Sequence, residues 1–283
     1  MKKIVQRLLI FILGVPAVIA AVVLVPQYHH LLVNILAILL SALGAIEFSE
    51  ILGKRKYRLK TLEAGILGAL SPLAMTLSVS FGVNGELVPA AFIIGATWLI
   101  ASRTFSSQKE ISLTNDRITS GLAVMIYPGL FMLWVVRMTG GPHATAIILM
   151  FLLIVFANDS VAWASGMLWG KGNRGIIPAS PNKSIVGFVG GLVASVALGM
   201  GAHAFFPQAF SQKHLSPLWA GAILGLATGI VAIIGDLAES TIKRSGEVKD
   251  SGSLIPGRGG VLDSIDSLAL SAPVYYALYW ILF

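Results

Sequence analysis

The chain has 283 residues, of which 56% are hydrophobic and 12% charged, with a mean hydropathy of +0.83. A soluble domain carries about 25% charged residues, so much of this surface faces lipid. The chain contains no cysteine, which excludes a disulfide framework and a thiolate metal site.

A spanning helix needs about 20 mainly apolar residues. Nine stretches qualify: Leu8–Val25, Leu31–Leu52, Leu62–Val83, Leu87–Ala101, Ile118–Val136, Ala144–Trp169, Ile185–Phe206, Leu218–Ile234 and Leu262–Phe283. The first follows Lys2, Lys3 and Arg7. Its length and the spans behind it read as a membrane segment rather than a cleaved leader. Prolines inside spans, such as Pro16, Pro72 and Pro128, are tolerated in membranes, where neighbours satisfy the freed carbonyls. The expected fold is therefore all-α, a polytopic membrane protein of about nine transmembrane helices. Spans 1–5 form an N-terminal half, residues 1–140, and spans 6–9 a C-terminal half, residues 141–283.

Under this nine-span reading the loops alternate in charge. Eighteen of the 20 basic residues fall on one side, and only Arg137 and Lys213 on the other. The positive-inside bias makes the rich side cytoplasmic and places the N-terminus inside. A pI near 9.7 then reflects topology and attraction to anionic headgroups, not nucleic-acid binding.

The acids are unevenly spread. Six of the 13 lie between positions 236 and 266: Asp236, Glu239, Glu247, Asp250, Asp263 and Asp266. Asp263 at a helix start suits the helix dipole; Asp236, at the expected end of the eighth span, does not. Asp159 interrupts the apolar run Ala144–Trp169, and an ionisable group at that depth points to function. Between the acids runs a basic, glycine-rich stretch containing Lys243, Arg244, Lys249, Asp250, Gly257, Arg258, Gly259 and Gly260. Glycines let backbone N–H groups approach phosphate oxygens, and basic side chains neutralise them. One or two carboxylates plus substrate phosphates is the usual setting for Mg²⁺. Together these groups suit a phosphate-rich soluble substrate meeting a lipid phosphate at a membrane face. The glycines fit neither a P-loop nor a dinucleotide fingerprint.

Ser240 to Asp266 resembles the signature of the phosphatidate cytidylyltransferases, or CDP-diglyceride synthetases. Of 17 constrained positions 15 match: Ser240, Ile242, Lys243, Arg244, Lys249, Asp250, Gly252, Ile255, Pro256, Gly259, Gly260, Val261, Asp263, Ile265 and Asp266. Asp159 with Ala162 and Gly166 resembles the family's upstream Asp-x-x-Ala element. Ser180, Pro181, Lys183, Ser184 and Gly187 resemble its Ser-Pro-x-Lys-Ser element. Three positions depart: Arg258 replaces the usual His, Ser264 the usual Arg, and Val186 the usual Glu. A basic residue has thus moved from 264 to 258.

The resemblance implies a Mg²⁺-dependent transfer of a cytidylyl group from CTP to phosphatidic acid, giving CDP-diacylglycerol and pyrophosphate. It implies that Asp236, Asp263, Asp159 and Asp266 hold the metal, and that Lys243, Arg244, Lys249, Arg258 and Lys183 clamp phosphates. Ser240, Asp250, Gly259, Gly260 and Ser180 would line the substrate. The expected location is the inner (plasma) membrane, with the site facing the cytoplasm. Oligomeric state stays open, a homodimer included. Three alternatives also stay open: action on another lipid phosphate, a paralogue without turnover, and a transporter, which would place its charges near the midplane on broken helices.

Overall fold

The structure is a computed structural model that describes residues 13–54, 58–104 and 107–283. Among these it is helical, with no strand beyond two isolated bridges. The helices are α1 (Val15–Leu24), α2 (Gln27–Gly53), α3 (Thr61–Phe81), α4 (Leu87–Thr104), α5 (Gln108–Ile111), α6 (Thr114–Val124) and α7 (Phe131–Met138). Then come α8 (Ala144–Trp169), α9 (Ile185–Phe205), α10 (Pro217–Ser245) and α11 (Leu262–Leu282).

Eight described helices are long and apolar enough to cross a membrane, with α6–α7 forming one of them as Thr114–Met138. They agree with eight of the nine expected spans. The first expected span lies partly outside the described residues, and its described part, α1, has 10 residues. Lys2, Lys3, Arg7, Arg55 and Lys56, used in the charge alternation, also lie outside them. The protein is a multi-pass, all-α membrane protein. In lipid a helix satisfies its own backbone, so long runs of Leu, Ile, Val and Ala settle as helices whatever their neighbours.

Two features differ from expectation. The eighth span continues past Ile234 to Ser245, because Leu237, Ala238, Glu239, Lys243 and Arg244 are good helix formers. Asp236 therefore sits inside a helix rather than at its C-terminus, and the dipole argument against it falls away. Asp159 does not break its span either: α8 is one continuous helix, with Asp159 exposed on its side and Asn158 buried.

The chain divides into two compact units, Met1–Gly140 with Ile242–Ile265, and Gly141–Thr241 with Asp266–Phe283. The stretch 242–265, which holds most of the signature, groups with the N-terminal helices.

In the first unit α2 packs along α3, and both meet the segment joining α6 to α7. That segment, Met125–Leu130, is a π-helical turn holding Pro128, whose missing N–H disrupts the α-helical ladder. Ser41 of α2 reaches Gly68 O at 2.7 Å and Pro128 O at 2.5 Å, tying the three segments together. In the second unit α8 packs along α9. Asn158 Nδ2 donates to Ser195 Oγ at 2.8 Å, and Ser195 Oγ donates to Gly191 O at 3.0 Å. α9 and α10 touch backbone to backbone: a Cβ on Gly199 would lie 2.1 Å from Gly221 O. Small residues permit such approach in membranes.

Candidate active site

The signature stretch begins where α10 ends. After Ser245, Glu247 turns the chain with φ +59°, and Val248 N donates to Lys243 O at 2.9 Å. The chain then makes a tight loop closed at its neck, where Ile255 N donates to Gly259 O at 2.9 Å. Gly257 and Gly259 hold φ of +77° and +117°, a region that favours glycine. At Gly259 space matters as well, since a Cβ would lie 2.5 Å from Asp263 Oδ2. The Pro256-Gly257-Arg258-Gly259 segment is thus a turn that delivers the chain to the start of α11.

Asp263 lies in the first turn of α11, its side chain 8% exposed. Its Oδ2 accepts from Gly260 N at 2.7 Å and Ser251 N at 2.9 Å, and lies 2.9 Å from Ser251 Oγ. Its Oδ1 is in ion-pair contact with the ammonium of Lys243, itself 11% exposed. One carboxylate oxygen is therefore given to the loop and the other to a cation. Arg244, Lys249, Asp250 and Arg258 are exposed around this buried pair. Arg244 Nη1 donates to Val248 O at 3.3 Å. Ser264, at the position where Arg was expected, turns its hydroxyl back to Gly260 O at 3.3 Å.

The second unit holds another lysine–aspartate pair, Lys183 with Asp236, 29% and 22% exposed. Lys183 comes from the loop between α8 and α9 and stands 5.9 Å above the Phe188 ring. That loop is shaped by its own sequence. Lys183 N donates to Ser180 O at 3.1 Å, and Ser184 caps α9 by accepting from Gly187 N at 3.1 Å. Asp236 follows Gly235, whose absent side chain lets α10 approach the backbone of Asp266; a Cβ there would lie 2.7 Å from Asp266 O. Asp266 and Glu239 are buried, and Ser240 is half-buried on α10.

The structure therefore joins Lys243 to Asp263 and Lys183 to Asp236, and it carries Asp236 and Lys243 on one helix, α10. Their spacing of seven residues is two helical turns. Among the described residues no three His, Asp or Glu side chains are arranged to hold a metal ion. The donors suit a hard cation that arrives with phosphates: oxygen-only carboxylates, one or two at a time, of which Asp263 and Asp236 are paired with lysine ammonium groups.

One buried acid escaped the sequence reading. Glu47, 4% exposed toward the C-terminal end of apolar α2, accepts from Val261 N at 3.0 Å, Leu262 N at 2.8 Å and Ser251 Oγ at 2.9 Å. An ionisable residue inside a span is itself a functional signal, and Glu47, near the end of its span and close to Glu50, carries only that signal in the sequence.

A second polar cluster of the first unit has the opposite character. Arg58 pairs with Glu50 at 2.8 Å, Arg103 with Glu63 at 2.6 Å and Arg117 with Glu110 at 3.0 Å. The hydrogen bond from Arg117 holds the Glu110 carboxyl below its ordinary range. In each of these pairs an arginine is neutralised by a nearby acid.

The profile of the Cytidylyltransferase family matches residues 5–282. The chain belongs to that family. A phosphatidate cytidylyltransferase of Haemophilus influenzae is 40% identical over 142 residues, 49% of this chain and 47% of that protein. One from Chlamydia muridarum is 40% identical over 116 residues, 40% of this chain and 37% of that protein. The matches thus span about half or less of the length of these two relatives. A phosphatidate cytidylyltransferase of Staphylococcus haemolyticus is 30% identical over 233 residues, 82% of this chain and 85% of that protein.

Proposed function

We propose that this chain transfers the cytidylyl group of CTP to phosphatidic acid at the cytoplasmic face of the inner membrane. The observation that carries this reading is the buried Lys243–Asp263 pair at the base of the glycine-rich loop, in a chain of the cytidylyltransferase family. A phosphate oxygen of phosphatidate attacks the α-phosphorus of CTP. A new P–O bond forms, the bond from the α-phosphorus to the α–β bridging oxygen breaks, and pyrophosphate leaves with that electron pair. Such transfers depend on positioning and charge neutralisation more than on covalent chemistry.

The chain's own residues divide these tasks. Lys243, partly released from Asp263, and Lys183, partly released from Asp236, are ammonium groups already held in place for phosphate oxygens. Arg244, Lys249 and Arg258 neutralise the triphosphate and lipid phosphate from the exposed rim. Gly259 and Gly260 bring backbone close to the substrate, with Ser180, Ser240 and Asp250 beside it. Asp263 and Asp236, with Asp159 and Asp266, are the carboxylates that would hold Mg²⁺, which when bound supplies further neutralisation of phosphate charge. The acyl chains stay in the bilayer.

The test is the purified protein incubated with Mg²⁺ and each of four nucleoside triphosphates against phosphatidate, a polyprenyl phosphate and a soluble glycerol phosphate. The proposal expects a lipid product only from CTP with phosphatidate. A product from the polyprenyl phosphate alone would reassign the substrate, and no product from any pair would overturn the enzymatic reading.

A further inference from the structure

A carboxylate inside a membrane-spanning helix is costly unless its charge is met. Glu47 meets its cost within the signature stretch. Oε1 accepts from Val261 N, and Oε2 accepts from Leu262 N and the Ser251 hydroxyl. The two amides are among the N–H groups that the first turn of α11 leaves without intrahelical partners, and a negative charge there also favours the helix dipole.

The fit is made by absent side chains. A Cβ on Gly252 would lie 2.4 Å from Glu47 Oε1; one on Gly260 would lie 2.3 Å from Oε2 and 2.1 Å from Ser251 Oγ. Two of the signature's small positions are thus openings through which Glu47 enters the loop. Ser251 is the link onward. Its Oγ lies 2.9 Å from both Glu47 Oε2 and Asp263 Oδ2, and 3.3 Å from Asp263 N. A hydroxyl has one proton to give. Donating it to Glu47 leaves the oxygen to accept from Asp263 N, which fixes the backbone from which the Asp263 carboxylate projects.

We propose that Glu47 is a positioning residue of the active site: through Ser251 and the first turn of α11 it sets Asp263 against Lys243. The inference rests on the reading of Asp263 as a working group of the cytidylyl transfer. Groups that orient a working carboxylate are typically worth about 10–100-fold in metal affinity or activity.

The test uses the full chain in lipid nanodiscs and compares wild type, Glu47→Gln and Ser251→Ala. Turnover, KM for CTP, half-saturating Mg²⁺ and amide hydrogen exchange are measured for each. Glu47→Gln keeps the shape but loses an acceptor oxygen, so kcat should fall about 10-fold or more and the Mg²⁺ requirement should rise. KM for CTP should change little. Exchange should quicken at 251–263 and not in the other helices. Unchanged kcat and unchanged exchange in Glu47→Gln would overturn the proposal. So would loosening spread evenly over the helices, which is the mark of a merely structural residue. If Glu47→Gln does not fold, Ser251→Ala removes the link alone, and wild-type turnover in that variant also overturns it. Should wild type transfer no label from CTP to phosphatidate, the proposed function fails, while the exchange at 251–263 still decides the role of Glu47.

Discussion

The two lysine–aspartate pairs are built in different ways. Lys243–Asp263 is nearly closed from solvent, and Asp263 is gripped by two backbone amides, with the Ser251 hydroxyl and Glu47 behind it. Lys183–Asp236 is more than twice as exposed, and its lysine stands on the loop between α8 and α9 beside an aromatic ring. A gripped carboxylate costs little reorganisation when charge develops, whereas a loop lysine can follow its phosphate. The difference suggests that the first pair sets geometry and the second adapts to substrate.

The largest effect should come from breaking the gripped pair. Asp263→Asn should lower kcat by about 10²–10³-fold, the loss typical when one preorganised electrostatic group is removed, while the protein still inserts and folds. Asp236→Asn should lose most activity too, but by a smaller factor. Near-wild-type rates for both at limiting Mg²⁺ would remove them from the site.

Lys183→Arg sharpens the contrast. An adaptable phosphate contact should tolerate the longer cation, so turnover should stay within about tenfold, while Lys243→Arg, in a space 11% exposed, should fall much further because the planar fork does not fit a point-charge site. Equal losses would erase the distinction between the pairs.

Arg258 tests the moved charge. Arg258→His should be poor, since a free His is mostly neutral at pH 7, with a pKa of about 6.5. Adding Ser264→Arg should recover much of the loss, the non-additivity expected of residues in one network. An Arg258→Ala enzyme with ordinary turnover and CTP affinity would end the idea of relocation. The smallest effect should be at the neutralised cluster. Arg58→Ala breaks an exposed ion pair and should change stability by less than about 1 kcal/mol, with turnover unaffected.

How much of this was legible follows from the physics of each signal. Spans such as Ala144–Trp169 can be read to the residue, because apolar length alone specifies a helix in lipid. The end of α10 could not, because its last turns are polar and only helix propensity marks them. The signature residues Lys243 and Asp263 were legible as chemistry, but their pairing needed the fold of 246–263 to bring them together. Glu47 was hidden by distance: its partners lie more than 200 positions away, and no local pattern links a glutamate in α2 to the openings at Gly252 and Gly260.

The central claim is that the α-phosphoryl of CTP ends on the lipid. The direct measurement is a paired incubation of the purified protein, phosphatidate and Mg²⁺ with CTP labelled at either the α- or the γ-phosphate, followed by extraction into organic solvent. The account predicts label in the lipid phase from α-labelled CTP alone, with γ-label recovered in pyrophosphate. Label in the lipid from γ-labelled CTP, or from neither, would contradict it.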